Sequence, residues 1–185
     1  MGLMSALSSE AYSVMGIDAS THSLAFAVFH DKELVKFGKI NFSGNGSYER
    51  LADSQSKILA LADDFDVDYI AIEKAIMVKS TDTAIKLGMA VGVIIASVLN
   101  KHTEVVEVAP ISWQSFIGNN NYNKTKKGEM RREFPDRSDS WIRSEIRERR
   151  KQYTIDYFNK KFKVNIDDND VSDAVGIAWY AVNHL

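Results

Sequence analysis

The chain has 185 residues, of which 45% are hydrophobic and 26% charged, so its composition predicts one globular domain spanning residues 1–185. It has no cysteine, which excludes a disulfide framework and a thiolate metal site. Residues 1–13 lack the pattern of a secretory signal, and the longest apolar stretch, 84–99, is short for a bilayer and contains Lys86. We therefore expect a soluble cytoplasmic protein with no membrane contact and a flexible segment at residues 1–11.

The first third of the chain predicts an antiparallel meander followed by a helix. Residues 12–18, 23–29 and 33–42 are rich in apolar and β-branched side chains and are separated by short polar turns. Ser47 stands where a capping residue is expected. The helix after it carries an apolar side formed by Leu51, Ile58, Leu59, Ala62 and Phe65.

The middle of the chain alternates strand, helix and strand, at residues 67–73, 81–100 and 103–109. A helical crossover returns the chain in the same direction, so these strands are expected to be parallel. The helix is apolar nearly all round, which predicts a buried helix. Gly88 and Gly92 lie four residues apart on it, and they allow close approach to the sheet or to a second subunit.

The last third of the chain predicts three further helices. A short helix at 111–117 follows Pro110 and leads into a loop at 119–128. A long charged helix at 138–162 and a closing helix at 170–184 complete the chain. The fold class expected from these elements is α/β, with a mixed five-stranded sheet flanked by helices.

Four acids at three separated places are candidates for a metal site. Asp18 and Glu73 each end a predicted strand, and parallel neighbouring strands place such ends at the same sheet edge. Asp170 and Asp173 lie three residues apart in the first turn of the closing helix, so they share one face of it. Carboxylate oxygens favour hard ions such as Mg²⁺, and two such ions support hydrolysis of a phosphodiester by water. The alternative is four unrelated surface acids.

The segments around these acids resemble the RuvC-type Holliday junction resolvases, which belong to the ribonuclease H-like superfamily. The resemblance is strongest over residues 14–118. It rests on GIDAS followed by AFAVF, on EKAIMVKSTDTAIKLGMAVG from Glu73, on APISWQSFIG, and on DNDVSDAVGIA near the end of the chain.

The resemblance implies a ribonuclease H-like fold and hydrolytic cleavage of Holliday junctions or related branched DNA. It implies metal binding and catalysis by Asp18, Glu73, Asp170 and Asp173, with two Mg²⁺ ions for which Mn²⁺ substitutes. Symmetric cutting of a four-way junction requires two sites related by a two-fold axis, so a homodimer is expected. The expected location is the cytoplasm of a bacterium or of a phage-infected host.

The chain also departs from the family pattern, which favours a divergent or phage-like branch. The aromatic wedge of the family falls on Ile76, and a basic residue of the family falls on Trp113. Ala19 and Ser20 replace the usual proline and glycine. Residues 119–165 form a longer, basic insertion with little resemblance to the family.

Charge is concentrated in the divergent segment. Residues 122–163 contain 14 Lys and Arg against 7 Asp and Glu, a net charge of +7, whereas the rest of the chain carries −9. Such a segment suits contact with a phosphate backbone, although a solvated charged helix has the same composition. The DNA-binding candidates are Lys79, Ser80, Lys124, Lys126 and Lys127, and the resemblance implies a catalytic lysine that could be one of the last three.

Three other functions fit parts of the pattern. A nuclease that cuts flaps or other branched DNA needs the same acids. A non-catalytic junction-binding module would not need all four of them. An actin-like ATPase also opens on a strand with a GID-type acid, but it needs two such domains, and 185 residues hold one.

Overall fold

A computed structural model describes residues 12–74, 80–99 and 103–185. The expectations for residues 1–11, Ile76 and Lys79 lie outside these ranges. Within them the mixed five-stranded sheet predicted from the sequence is confirmed, with strand order β3-β2-β1-β4-β5. The strands are β1 (Ser13–Ala19), β2 (Ser23–His30), β3 (Glu33–Asn41), β4 (Tyr69–Glu73) and β5 (Glu104–Val108).

The central strand β1 joins the two halves of the sheet. It pairs with β2 in antiparallel fashion and with β4 in parallel fashion, and β5 continues the parallel half. The antiparallel half is the predicted meander, because β2 and β3 follow β1 through short turns. The parallel half needs the helical crossover between β4 and β5.

Helices cover both faces of the sheet and create two hydrophobic cores. The helices are α1 (Ser47–Asp64), α2 (Thr81–Val98), α3 (Pro110–Phe116), α4 (Lys124–Glu133), α5 (Asp139–Phe162) and α6 (Asn169–Val182). One core joins the sheet to α3, α5 and α6, and the other joins it to α1 and α2.

The closing helix α6 passes unusually close to β1. A Cβ atom added at Gly16 would lie 2.4 Å from the carbonyl oxygen of Ala174 and 2.6 Å from Cβ of Ala178. Only glycine therefore allows this approach, since both neighbours belong to the packed helix. The contact places the first turn of α6 near the end of β1, where Asp18 lies.

The expectation that the helix after β4 is buried all round is wrong for α2. Its buried residues, Ala90, Ile94 and Val98, face α1 and the sheet. On its outer side Ile85 is 59% exposed and Met89 is 38% exposed. A Cβ atom added at Gly88 or Gly92 would meet nothing within 4 Å. Of the described part of the chain, α2 alone is long and apolar enough to cross a membrane, by length and composition only.

The loop expected at 119–128 is confirmed for residues 119–123 and is wrong for residues 124–128, because α4 begins at Lys124. Asn123 caps this helix by accepting a hydrogen bond from the backbone N–H of Lys126. The helix packs on the first half of α5 through a small separate core. That core contains Met130, Ile142 and Ile146, with Tyr122, Phe134 and Trp141 beside it. The basic segment thus consists of the packed helices α4 and α5, which we call the basic hairpin.

Candidate active site

The parallel register of β1 and β4 places two of the acids side by side. Ile17 pairs with Ile72 in this ladder, and the next residue of each strand is Asp18 and Glu73. Both side chains therefore emerge at the same edge of the sheet. The shared edge was predicted from the sequence. It follows because α1 connects β3 to β4 and returns the chain so that β4 runs parallel to β1.

The start of α6 supplies the other two acids. Asp168 caps the helix, and its Oδ1 accepts hydrogen bonds from the backbone N–H groups of Asp170 and Val171 at 2.8 and 3.1 Å. Asp170 lies in the first turn of the helix, and Asp173 follows one residue beyond that turn. Because α6 lies against β1 at Gly16, its first turn faces the end of that strand.

Electrostatic coupling indicates that the acids lie near one another. Burial, with the nearby charges of Glu73 and Asp170, raises the pKa of Asp18 to about 7. Burial, with the charges of Asp18, Glu73 and Asp170, raises the pKa of Asp173 to about 8. Asp18 and Asp173 thus both interact with the charges of Glu73 and Asp170, although the four acids come from three separate parts of the sequence. We call Asp18, Glu73, Asp170 and Asp173 the acid cluster.

Glu73 is held by a neutral donor. The indole Nε1 of Trp113 donates a hydrogen bond to Oε1 of Glu73 at 3.3 Å. Burial raises the pKa of Glu73, and this hydrogen bond partly opposes the shift. Trp113 is 1% exposed and packs against Gly176 of α6. Its ring is therefore fixed between α6 and the end of β4. Trp113, where the family pattern has a basic residue, is thus a core residue.

Sequence reasoning missed the cation beside the cluster. Nζ of Lys39, in β3, lies 2.6 Å from Oδ2 of Asp170 and 2.9 Å from Oδ2 of Asp168. Burial by itself would raise the pKa of Asp168, but the hydrogen bonds from Lys39 and from the helix backbone lower this pKa overall. Residue spacing gave no signal for this contact, because more than 120 residues separate the partners.

A second missed cation is Lys151 of α5. The Coulomb interaction with Lys151 lowers the pKa of Asp173 and so opposes the larger effects of burial and of the other acids. Its side chain is about half exposed and lies 3.7 Å from Glu148. That one of the three lysines of α4 is the family's catalytic lysine stays a prediction, and Lys151 is a lysine of α5 whose charge acts on Asp173.

The cluster has the donor chemistry of a site for a hard divalent cation. Its ligands are carboxylate oxygens, and two of the acids have pKa values raised partly by mutual repulsion, which a cation relieves. Within residues 12–74, 80–99 and 103–185, however, no group of three or more acidic or histidine side chains is already arranged to hold a metal ion. Lys39 and Trp113 instead engage oxygens of Asp170 and Glu73. The donor chemistry of the residues fits such an ion, and each of these two contacts engages one oxygen of its carboxylate.

The candidate DNA-binding residues are distributed over two helices. Ser80 caps α2, and its hydroxyl accepts a hydrogen bond from the backbone N–H of Thr83 at 3.4 Å. The three lysines of α4 are exposed, and Nζ of Lys126 lies 5.4 Å from the ring centroid of Tyr122. DNA binding by these residues stays a prediction. We call Lys124, Lys126 and Lys127 the lysine cluster.

Comparison with known proteins identifies relatives of this arrangement. The family described as crossover junction endodeoxyribonuclease RuvC matches residues 14–134. The Porphyromonas gingivalis protein of that name is 30% identical over 123 residues, which are 63% of this chain and 65% of that protein. The Chlamydia caviae protein of that name is 31% identical over 121 residues, or 60% of this chain and 70% of that protein. The chain thus spans about two thirds of the curated relatives that it matches.

Solved structures extend the likeness to the whole fold. Thermus thermophilus RuvC in complex with a Holliday junction substrate has a TM-score of 0.67 at 15% identity, covering 93% of this chain and 94% of that chain. The T. thermophilus RuvC structure described without a substrate has a TM-score of 0.62 at the same identity. This likeness confirms the expected ribonuclease H-like fold. By the family match over residues 14–134, which includes Asp18 and Glu73, the chain belongs to the RuvC family.

Proposed function

We propose that this protein is a divalent-metal-dependent endonuclease that resolves Holliday junctions or closely related branched DNA. The observation that carries the proposal is the convergence of four carboxylates from β1, β4 and α6 at one sheet edge. The relatives matched in sequence bear the name crossover junction endodeoxyribonuclease, and one structural neighbour is described with a Holliday junction substrate. These names support the same reaction for this chain.

The acid cluster supplies the metal ligands in this proposal. When bound, divalent ions activate a water and stabilise the charge that develops in phosphodiester hydrolysis. Trp113 positions Glu73, and Asp168 fixes the start of α6, which carries two of the ligands. Lys151 is proposed as the lysine that stabilises the charged transition state, since its charge already acts on Asp173.

We propose Mg²⁺ as the physiological ion, with two ions bound and Mn²⁺ as a substitute. Ca²⁺ should bind without supporting cleavage, because it is larger and holds its ligands in a less fixed geometry. The all-oxygen donor set and the lack of cysteine support a hard ion.

The basic hairpin is the proposed grip on the DNA backbone. The lysine cluster is exposed on α4, and Arg131 and Arg132 lie on the last turn of the same helix. Lys79 and Ser80 are proposed to contact the backbone near the cleaved phosphate. These contacts are sequence-independent, so they supply affinity and orientation.

We propose that the working form is a homodimer joined through the outer side of α2. Its exposed Ile85 and Met89 are apolar, and the two open glycines let a second helix approach closely. A groove of about 430 Å³ between α1 and α2 continues this apolar surface. Two copies related by a two-fold axis would present two sites to a four-way junction. The cytoplasm is the proposed location.

The test compares three synthetic substrates, a four-way junction, a flap and a plain duplex, each with Mg²⁺ or with EDTA. Paired symmetric cuts in the junction with Mg²⁺ support the proposal. Preferential cutting of the flap favours the alternative nuclease. Junction binding without cleavage in every metal favours a non-catalytic binding module.

Asp173→Asn provides the matched variant for this test. The amide preserves size but removes the charge that holds a cation, so cleavage should fall by a factor of at least about 100 while junction binding is kept. Asp136→Asn, in the exposed turn between α4 and α5, is the control. Cleavage by Asp173→Asn at the rate of the control would refute the acid cluster as the active site.

A further inference from the structure

Lys39 and Asp18 lie in one row across the antiparallel half of the sheet. Lys39 of β3 pairs with Ala25 of β2, and Ala25 pairs with Asp18 of β1. Directly paired residues project from the same face, so Lys39 and Asp18 face the same layer, the one that holds α6. The methyl side chain of Ala25 leaves the space between them open. Lys39 is therefore directed toward the acid cluster by register.

The ammonium group of Lys39 bridges the two carboxylates at the start of α6. It lies 2.6 Å from Oδ2 of Asp170 and 2.9 Å from Oδ2 of Asp168. The remaining oxygen of Asp168 accepts the two capping hydrogen bonds of the helix. Lys39 thus ties an acid of the cluster to the helix cap, and one oxygen of Asp170 is already engaged by a cation.

The charge of Lys39 acts on more than its direct partners. Its side chain is 25% exposed, so solvent screens it less than a free surface lysine. Its Coulomb interaction reaches Asp18 across the sheet. Lys39 is accordingly a positive charge fixed beside three carboxylates, those of Asp168, Asp170 and Asp18.

We propose that Lys39 is a positioning residue that serves as the resident counter-cation of the acid cluster, joining Asp168 to Asp170 and competing with a divalent ion for Asp170. This inference rests on the proposed metal-dependent function. The positive charge of Lys39 repels a divalent ion, but it also holds Asp168 and Asp170 in place. It therefore stabilises the folded protein when no metal is bound. It also sets the concentration of ion at which the site fills, because part of the negative charge is already neutralised.

Lys39→Met tests the inference, because it keeps an unbranched side chain and removes the charge. In EDTA at about pH 8, its melting temperature should fall by several degrees, since repulsion among the acids is no longer offset. In calorimetric titrations with Mg²⁺ or Mn²⁺, it should bind about three- to tenfold more tightly than the wild type. Lys39→Arg, which keeps the charge, should restore affinity toward the wild-type value.

Lys36→Met is the matched control. It lies on the same strand and changes net charge equally, but it is exposed and three residues away, so it projects from the opposite face. It should leave the metal-free melting temperature and the affinity for Mg²⁺ close to wild-type values.

Two results overturn the inference. Equal affinity in Lys39→Met and Lys36→Met would show that Lys39 does not compete with the ion. Weaker affinity in Lys39→Met would show that Lys39 instead prepares the ligands for it. If Lys39→Met does not fold, Lys39→Gln gives the same comparison with a polar neutral side chain. Failure of the proposed function is distinct, because the wild type itself would then leave the junction uncut in Mg²⁺.

Discussion

The indole N–H of Trp113 donates to the carboxylate of Glu73, so a neutral aromatic side chain positions an acid at the proposed active site. Trp113 lies in α3, whereas Glu73 is the last residue of β4. The ring is also packed against Gly176, where an added Cβ would lie 2.6 Å from it. One side chain thus connects three elements that meet at the acid cluster. The resemblance placed a basic residue of the family at this position, and here a donor without charge occupies it.

Trp113→Phe should remove the hydrogen bond and retain most of the packing. We expect a loss of at least about 1 kcal/mol in the free energy of unfolding from the hydrogen bond, and the cavity left by the smaller ring adds to it. Turnover of the junction should fall several-fold, because Glu73 is less restrained. Trp141→Phe, in the separate core of the basic hairpin, is the control. Equal turnover in both variants would mean that this hydrogen bond does not position Glu73.

The metal-free protein should become less stable as pH rises from about 5 to 8. Asp18 and Asp173 have pKa values of about 7 and about 8 against an ordinary value of 3.8, so the folded state retains protons that the unfolded state has released. Their contribution is full below pH 3.8 and is lost as pH rises through the folded values, at up to about 1.4 kcal/mol per pH unit for each group.

Thermal unfolding in EDTA at several pH values measures this dependence. Asp173→Asn should flatten it, whereas Asp136→Asn should not. Added Mg²⁺ should stabilise the wild type more at pH 8 than at pH 5, because the ion favours the ionised acids. A melting temperature that rises steadily over this range in EDTA would contradict the raised pKa values.

We expect the lysines of the basic hairpin to have two distinct roles, DNA binding and catalysis. Alanine at all three positions of the lysine cluster should weaken junction binding and reduce the salt slope of log K by about one for each lost phosphate contact. Lys151→Ala should leave binding nearly unchanged and lower turnover by a factor of about 100, as expected for loss of a transition-state contact. The measurements are binding at several salt concentrations and single-turnover cleavage.

The control for the lysine cluster is the pair Lys32→Ala and Lys36→Ala, in the turn and strand of the β2–β3 hairpin. An unchanged salt slope in the triple variant would place α4 away from the DNA. Normal turnover in Lys151→Ala would refute the proposed catalytic role of this lysine.

The proposed dimer predicts that a charge on the outer side of α2 produces monomers. Ile85→Glu or Met89→Glu should shift the mass measured by light scattering to one chain and abolish paired cuts in the junction. Ile111→Glu is the matched control, since Ile111 is 61% exposed but lies on α3. Wild-type mass in both α2 variants would show that the subunits associate elsewhere.

Local patterns in the sequence were sufficient to predict most strands and helices and to place the four acids at the ends of strands and the start of a helix. Alternating apolar residues predicted the strands, and helical periodicity predicted α1 and α6, because these patterns depend on near neighbours. The helix α4 was missed because asparagines and a glycine favour a loop locally, whereas its apolar residues pack on α5 only in the folded chain. The exposed outer side of α2 was missed because composition does not show which side a neighbour covers.

The sequence by itself determined that the acids follow two strands and begin a helix. Only the tertiary structure decided which cations and donors accompany them. Lys39 reaches Asp170 through the register of three strands, Trp113 reaches Glu73 through the placement of α3, and Lys151 acts on Asp173 from α5. Each of these contacts joins residues distant in the chain. Their side chains have no periodicity or motif of their own, so their positions are set by packing of the elements that carry them.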